Sequence, residues 1–338
     1  MRYKRFKNAD VDISSLAVGT WAIGGARYGE TDDESSVKAI RAMLDGGVNI
    51  IDTAPGYGAG HSEKIVGQAI KGYNRSKIYI STKFGTGNMT LAAQKDPENY
   101  SGRDGTFENC LYQCEASLRR LDIDYIDFFF VHWPDANTPM QETMNALNYL
   151  KKKGLIRYIG VSNFTKEQIV EAEQYAKIDV VQLPYSMVNE YEKNLMVWCH
   201  DRGIDTFTYG SLGSGILTGS IRELPDWPAN DIRYTFYDFY KEPKFSKCME
   251  LLGSMDILSE KIHKPLAQIA INWSTQKDYV GTALCGVRNT EEAKENCETF
   301  DWQLTEEEMK YLDDALAKVD FESHKQVSVH GNQKVKKN

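Results

Sequence analysis

Residues 124–163 read DYIDFFFVHWPDANTPMQETMNALNYLKKKGLIRYIGVSN, and three periodicities follow one another within them. An aromatic run over 125–131 predicts a strand, the amphipathic stretch 139–152 a helix, and the β-branched run 156–161 a second strand. Two strands joined this way are parallel neighbours, because only a right-handed helical crossover returns the chain to the same edge. The rhythm continues in both directions. Toward the N-terminus it predicts strands at 16–19, 48–52 and 77–82, with helices at 33–45, 63–70 and 107–121. Toward the C-terminus it predicts a helix at 166–176, a strand at 180–183, a helix at 193–202 and a strand at 205–209. After a long insertion rich in Pro, Trp and Tyr come helices at 245–262 and 265–275, an eighth strand at 279–285 and a helix at 290–297.

Eight strand-helix units predict an α/β fold, a closed (β/α)8 TIM barrel in which closure removes every sheet edge. An N-terminal hairpin (2–6 and 11–14) precedes it, and extra C-terminal helices, the last at 305–317, follow. A length of 338 residues allows two domains, but this pattern assigns residues 1–320 to a single barrel and 321–338 to a flexible polar tail. The doubly wound dinucleotide fold would need GxGxxG after the first strand, where the chain instead has Gly19-Thr-Trp-Ala-Ile-Gly24-Gly25. GxxxxGK[ST], HExxH and GxSxG are also missing from the sequence, which removes local support for phosphate-loop, zincin and serine-hydrolase chemistry.

The net charge of −8 becomes −11 for residues 1–320 once the lysine-rich tail is set aside, so neither nucleic acid nor an anionic membrane is an expected partner. No run of 18 apolar residues occurs, and a cytoplasmic location is expected. Six irregularly spaced cysteines read as reduced thiols. Cys110 and Cys114, one helical turn apart, read as small apolar residues facing a core, and no metal site is assigned.

In such a barrel the chemistry lies at the carboxyl ends of the strands. There the sequence places Asp52 with Tyr57 in the following loop, then Lys83, His132, Ser162 with Asn163, Gln182 and Tyr209. Each alone has a structural explanation as cap, surface pair, core polar group or barrel packing. Together, a tyrosine, a lysine that would lower its pKa and a carboxylate that would hold the ammonium form a proton relay tunable to neutral pH.

The segments Val48-Asn-Ile-Ile-Asp-Thr-Ala-Pro-Gly-Tyr-Gly58, Ser81-Thr-Lys-Phe84, Asp124-Tyr-Ile-Asp-Phe-Phe-Phe-Val-His-Trp-Pro-Asp135 and Gly160-Val-Ser-Asn-Phe164 closely resemble the aldo-keto reductase superfamily. The likeness runs in unbroken order over residues 1–317 and is strongest to a bacterial branch of inositol-operon and sugar-aldehyde reductases. It implies an NAD(P)(H)-dependent enzyme of carbohydrate metabolism, interconverting an aldehyde or ketone, of sugar or inosose type, with an alcohol by hydride transfer. Tyr57 would be the general acid/base, Lys83 would lower its pKa, Asp52 would pair with Lys83, and His132 would orient the carbonyl. A more distant likeness to potassium-channel β subunits implies the alternative of a cofactor-holding redox sensor.

The same resemblance implies the cofactor contacts. Ser162, Asn163 and Gln182 would bind the nicotinamide carboxamide, and Tyr209 would stack beneath the ring. Gly210, Ser211, Leu212, Gly213, Ser214 and Gly215 would approach the pyrophosphate. Gly19, Thr20, Trp21 and Asp52 would add to this wall. Gly286, Arg288, Glu292, Glu295 and Asn296 would hold the adenosine, with Arg288 near a 2′-phosphate. NADP(H) is favoured on Arg288, while Glu291 and Glu292 beside it keep NAD(H) as the alternative. Trp21, Tyr57, Phe84, His132 and Trp133 would line a pocket for a small-molecule carbonyl or alcohol, although Trp21, Phe84 and Trp133 also suit core packing. Loops 85–106, with Asn88, Gln94, Asn99 and Arg103, and 219–244, with Asn230, Arg233, Tyr234 and Tyr237, would set specificity. Their polar and aromatic content suits a hydroxylated substrate better than a steroid.

Overall fold

The computed structural model describes residues 1–25, 31–228, 231–319 and 321; Asn230 and the tail beyond Phe321 lie outside the described residues. An antiparallel hairpin, β1 (Tyr3–Phe6) and β2 (Val11–Ser14), precedes the barrel. The barrel consists of β3 (Leu16–Gly19), β4 (Ile50–Asp52), β5 (Tyr79–Phe84), β6 (Ile126–Val131), β7 (Ile156–Ser162), β8 (Val180–Pro184), β9 (Asp205–Tyr209) and β10 (Thr282–Gly286). All eight are parallel in sequence order, and β10 closes the ring by pairing with both β9 and β3. The (β/α)8 TIM barrel expected from the periodicity is the observed architecture.

Around it lie α1 (Asp33–Asp45), α2 (His61–Ala69), α3 (Leu91–Lys95), α4 (Phe107–Leu121), α5 (Met140–Lys152), α6 (Lys166–Glu173) and α7 (Lys193–Asp201). The chain then adds α8 (Ile232–Phe236), α9 (Lys244–Ile262), α10 (Leu266–Thr275), α11 (Thr290–Glu298) and α12 (Glu306–Val319). Local chemistry sets their starts. Asp32 accepts from the Ser35 amide to cap α1, Thr106 accepts from Asn109 to cap α4, and Thr165 with Gln168 forms a capping box on α6. The short helices α3 and α8 differ from the sequence expectation, because segments of five residues fall below the window in which periodicity is visible. β10 starts at Thr282 rather than 279, since residues 277–280 form a turn closed by the Val280 amide on the Lys277 carbonyl. No helix among the described residues is long and apolar enough to cross a membrane.

Strand alternation divides the core. Phe128 and Phe130 of β6 point into the barrel with Ile50, Val180 and Phe207, while Phe129 and Val131 point out to the helical layer. Phe6 of the hairpin packs edge-on against Phe128 and Phe207, at 6.3 and 5.7 Å between ring centroids, and so joins the hairpin to the barrel interior. Cys110 and Cys114 are buried on the inner face of α4, as their spacing suggested. The register then sets the rim. Asp52 lies beside Ser81, Lys83 beside Phe130, and Ser162 beside Gln182, so polar residues from separate strands end near one level.

Gly160 of β7 is required by this packing, because a Cβ there would stand 2.4 Å from the Phe130 ring. Gly160→Ala is expected to cost about 1–3 kcal/mol through overpacking. Gly253→Ala, in α9 with nothing within 4 Å of the added carbon, is expected to be neutral or to stabilise by about 0.5–1 kcal/mol. Urea unfolding of both variants checks the contrast, and equal effects would count against it.

Candidate active site

β4 delivers Asp52 and β5 delivers Lys83 to the same point. The Lys83 Nζ donates to Asp52 Oδ2 at 2.7 Å, to the Thr53 carbonyl at 2.9 Å and to the Tyr57 hydroxyl at 3.4 Å. Lys83 is fully buried, and that burial lowers its pKa while the charges of Asp52 and Glu63 oppose the shift. The other Asp52 oxygen, Oδ1, accepts from Ser81 Oγ at 2.7 Å and from Gln182 Nε2 at 2.9 Å. Both oxygens of the carboxylate are therefore used, which offsets part of the cost of placing it inside the barrel.

Tyr57 is held by its loop. The Tyr57 amide donates to the Ala54 carbonyl at 3.1 Å, and Gly58, with φ +63°, passes so near the Gly24 carbonyl that a Cβ would stand 2.1 Å from its oxygen. Beyond the loop, Ser62 Oγ donates to Thr20 at 2.7 Å and lies 3.0 Å from Thr53 Oγ1. The Trp21 ring stacks on Tyr57 at 6.1 Å between centroids, and His132 meets Tyr57 edge-on at 6.2 Å. His132 is fixed through its backbone, its N–H donating to the Phe84 carbonyl at 3.0 Å and its carbonyl accepting from Asn163 Nδ2 at 3.0 Å. Part of the imidazole surface stays open to the pocket, yet the surrounding protein and the Lys83 and Arg103 charges drive its pKa well below the ordinary histidine value. That shift favours the neutral ring.

These residues stand in a cavity of about 830 Å³ over the carboxyl ends of the strands. Trp21, Tyr57, His132 and Trp133 line it together with Thr86 and Phe236. Gly19, Thr20, Asp52, Ser162, Asn163, Gln182 and Tyr209 form the adjoining wall. Asn163 adopts the left-handed region (φ +61°), which lets its Nδ2 reach both Ser162 and His132 while Oδ1 accepts the Tyr209 hydroxyl at 2.9 Å. Burial raises the Tyr209 pKa, so its hydroxyl stays a neutral donor. Gly210, Ser211, Leu212, Ser214 and Gly215 carry the wall onward, with left-handed backbone at Gly210, Ser214 and Gly215. Gly286, Arg288, Glu292, Glu295 and Asn296 line the far end. An elongated cavity walled by backbone at one stretch and by buried amides at another fits a dinucleotide.

Two expected site residues stand elsewhere. Phe84 is buried outside the barrel, stacked on Phe129 at 5.1 Å, and does not line the cavity. It follows the inward-pointing Lys83, so strand alternation turns it to the helical layer. Gly213 sits behind the wall, where a Cβ would meet Ile216 and Val188 at 2.8 Å. Of the proposed specificity residues, Arg233 and Tyr237 line the cavity, whereas Gln94 bonds to Tyr112 and Asn99 folds onto Asp96. Arg103 lies over the Trp133 ring at 4.9 Å and donates to Thr86 Oγ1 at 2.7 Å. Tyr234 packs against Trp227, and exposed Asn88 is not among the lining residues. Sequence reasoning missed Phe236, Ile221 and Ala267 as lining residues, since each comes from the insertion or from α10 and reaches the cavity only through folding.

Comparison with known proteins identifies the family. Residues 15–317 match the Aldo/keto reductase family. The aldo-keto reductase YhdN of Bacillus subtilis is 35% identical over 94% of this chain and 94% of its own length. An NADH-specific methylglyoxal reductase of Escherichia coli is 32% identical over 88% of this chain and 93% of its own. The solved structure of a glycerol dehydrogenase from Gluconobacter oxydans superposes with a TM-score of 0.82 at 34% identity, covering 94% of this chain and 96% of the other.

Asp52→Asn leaves the Lys83 ammonium inside the barrel without its counter-charge. A loss of about 3–5 kcal/mol in stability is expected. Because Lys83 can instead shed its proton, the loss should shrink as pH rises, and urea unfolding at pH 7 and pH 9.5 measures both effects. A loss below about 1 kcal/mol at pH 7 would show that the pair is not the constraint described.

Proposed function

The chain belongs to the aldo/keto reductase family and is an NAD(P)(H)-dependent oxidoreductase interconverting a carbonyl and an alcohol, and on that premise we propose how its residues divide the work. Tyr57 is the general acid in reduction and the general base in oxidation. One observation carries this: the Lys83 ammonium bridges Asp52 Oδ2 at 2.7 Å and the Tyr57 hydroxyl at 3.4 Å. A cation at that position stabilises the phenolate left when the phenol gives up its proton, and Asp52 keeps the cation in place. Neutral His132, beside Tyr57, orients the substrate oxygen by a hydrogen bond without competing as an acid.

A nicotinamide held in this cavity would supply or accept the hydride at carbon. In reduction Tyr57 delivers the proton to the carbonyl oxygen, and solvent restores the phenol afterwards; in oxidation the phenolate takes the alcohol proton. Ser162, Asn163 and Gln182 would hold the carboxamide, Tyr209 would support the ring, and the wall from Gly210 through Gly215, without Gly213, would take the pyrophosphate. Gly286, Arg288, Glu292, Glu295 and Asn296 take the adenosine. The substrate is a small hydroxylated carbonyl or its alcohol. The aromatic ring of Trp21, Trp133 and Phe236 around Tyr57, with Thr86 beside it, supports a compact pocket, and glycerol and methylglyoxal, named for two relatives, are of that size.

Tyr57→Phe is expected to lower kcat by about 10²–10⁴ while nicotinamide affinity, followed by tryptophan fluorescence, changes by no more than a few-fold. Equal turnover by the two proteins would overturn the assignment. The depressed His132 pKa sets a second expectation. With its pKa pushed well below 6.5 by burial and by the Lys83 and Arg103 charges, His132 should give kcat/KM for reduction no limb centred near 6.5. A limb there that disappears in His132→Gln would contradict it.

A further inference from the structure

We infer that Glu292 is a specificity-determining residue that closes the adenosine end of the cavity to a 2′-phosphate and makes NAD(H) the preferred cofactor. The inference rests on the reading that Gly286 to Asn296 take the adenosine, and it reverses the preference expected from Arg288 alone. In the folded chain Arg288 is already bound to an anion. Its Nε and one terminal nitrogen donate to Glu292 Oε1 at 3.0 and 2.6 Å, and its backbone N–H donates to Glu292 Oε2 at 2.9 Å. One carboxylate therefore occupies both the guanidinium and the amide that a phosphate dianion would use.

Glu292 is held in that position by its own element. Its amide donates to Asn289 Oδ1 at 2.8 Å in the cap of α11, and it lies in the first helical turn, where the helix favours negative charge. Arg288 and Glu292 stand four residues apart, a spacing at which the side chains meet without strain. Additional cations are scarce. Residues 286–298 contain Arg288 and Lys294 against Glu291, Glu292, Glu295 and Glu298, and Lys294 lies 3.7 Å from Glu298. A 2′-phosphate would have to displace the carboxylate and then remain beside it, at the cost of like-charge repulsion. A ribose 2′-hydroxyl meets no such penalty, because it can donate a hydrogen bond to the same carboxylate.

The test uses the full chain as wild type, Glu292→Gln and Arg288→Ala, titrated with NAD+, NADP+, AMP and 2′-AMP by calorimetry or tryptophan fluorescence. Wild type is expected to bind NAD+ at least about tenfold more tightly than NADP+. Glu292→Gln, which keeps the shape and removes the charge, should tighten NADP+ relative to NAD+, and 2′-AMP relative to AMP, by about tenfold or more. Arg288→Ala should not improve NADP+. Preference of the wild type for NADP+, or unchanged NADP+ affinity in Glu292→Gln, would overturn the inference and leave the oxidoreductase reading intact. Binding of neither dinucleotide by the wild type would overturn both.

Discussion

The ion pair between Asp52 and Lys83 is the constraint around which the rest of the barrel rim is arranged. Two charges with almost no exposure are costly to bury, and their attraction repays that cost only when the remaining hydrogen-bonding capacity is also met. Ser81, Gln182, the Thr53 carbonyl and Tyr57 meet it, and they arrive from β5, β8 and the loop after β4. Ser81 and Lys83 point inward together because they are two residues apart on one strand. The pair thus requires the strand register that the barrel supplies, and the barrel supplies it only when its interior is filled by Phe128, Phe130, Phe207 and the Phe6 ring of the hairpin.

A second layer supports the Asp52–Lys83 pair from outside the barrel. Thr82, next to Lys83, faces the opposite way and donates to Glu63 of α2 at 2.8 Å, while Glu63 accepts from Arg120 of α4 at 2.6 Å. The buried Glu63 carboxylate therefore ties the strand carrying Lys83 to the two helices that flank it. The Tyr57 loop is held at one end by Gly58 against Gly24 and at the other by Ser62 against Thr20. These contacts hold the Tyr57 hydroxyl at its distance from Lys83.

Much of this was legible in the chain. The alternation of strand and helix patterns led to the closed barrel, and strand ends led to Asp52, Tyr57, Lys83, His132, Ser162, Asn163, Gln182 and Tyr209, since a barrel fold directs those positions to one face. Phe84 was also legible in principle, because a residue adjacent to an inward lysine must turn outward. Gly213 was not: its place behind the wall follows from packing against Val188 and Ile216, which periodicity does not reveal. Phe236 and Ile221 escaped for the same reason, being delivered by an irregular insertion whose path depends on contacts such as Arg222 with Asp256.

Hydrophobic period and residue type by themselves determined the architecture and which polar side chains stand at the strand ends, because both depend on local order along single strands and on what a parallel barrel does with strand ends. Tertiary structure decided what those members touch. The lowered pKa of His132 comes from burial beside two cations brought from β5 and the following loop. The shape of the cavity comes from an insertion and a helix far apart in sequence. At the start of α11 the letters offered an arginine and a glutamate four residues apart, and only the folded helix start closes that carboxylate onto both the guanidinium and the backbone amide of Arg288. Charge can be counted along a chain, but whether a charge is available depends on the partner that folding brings to it.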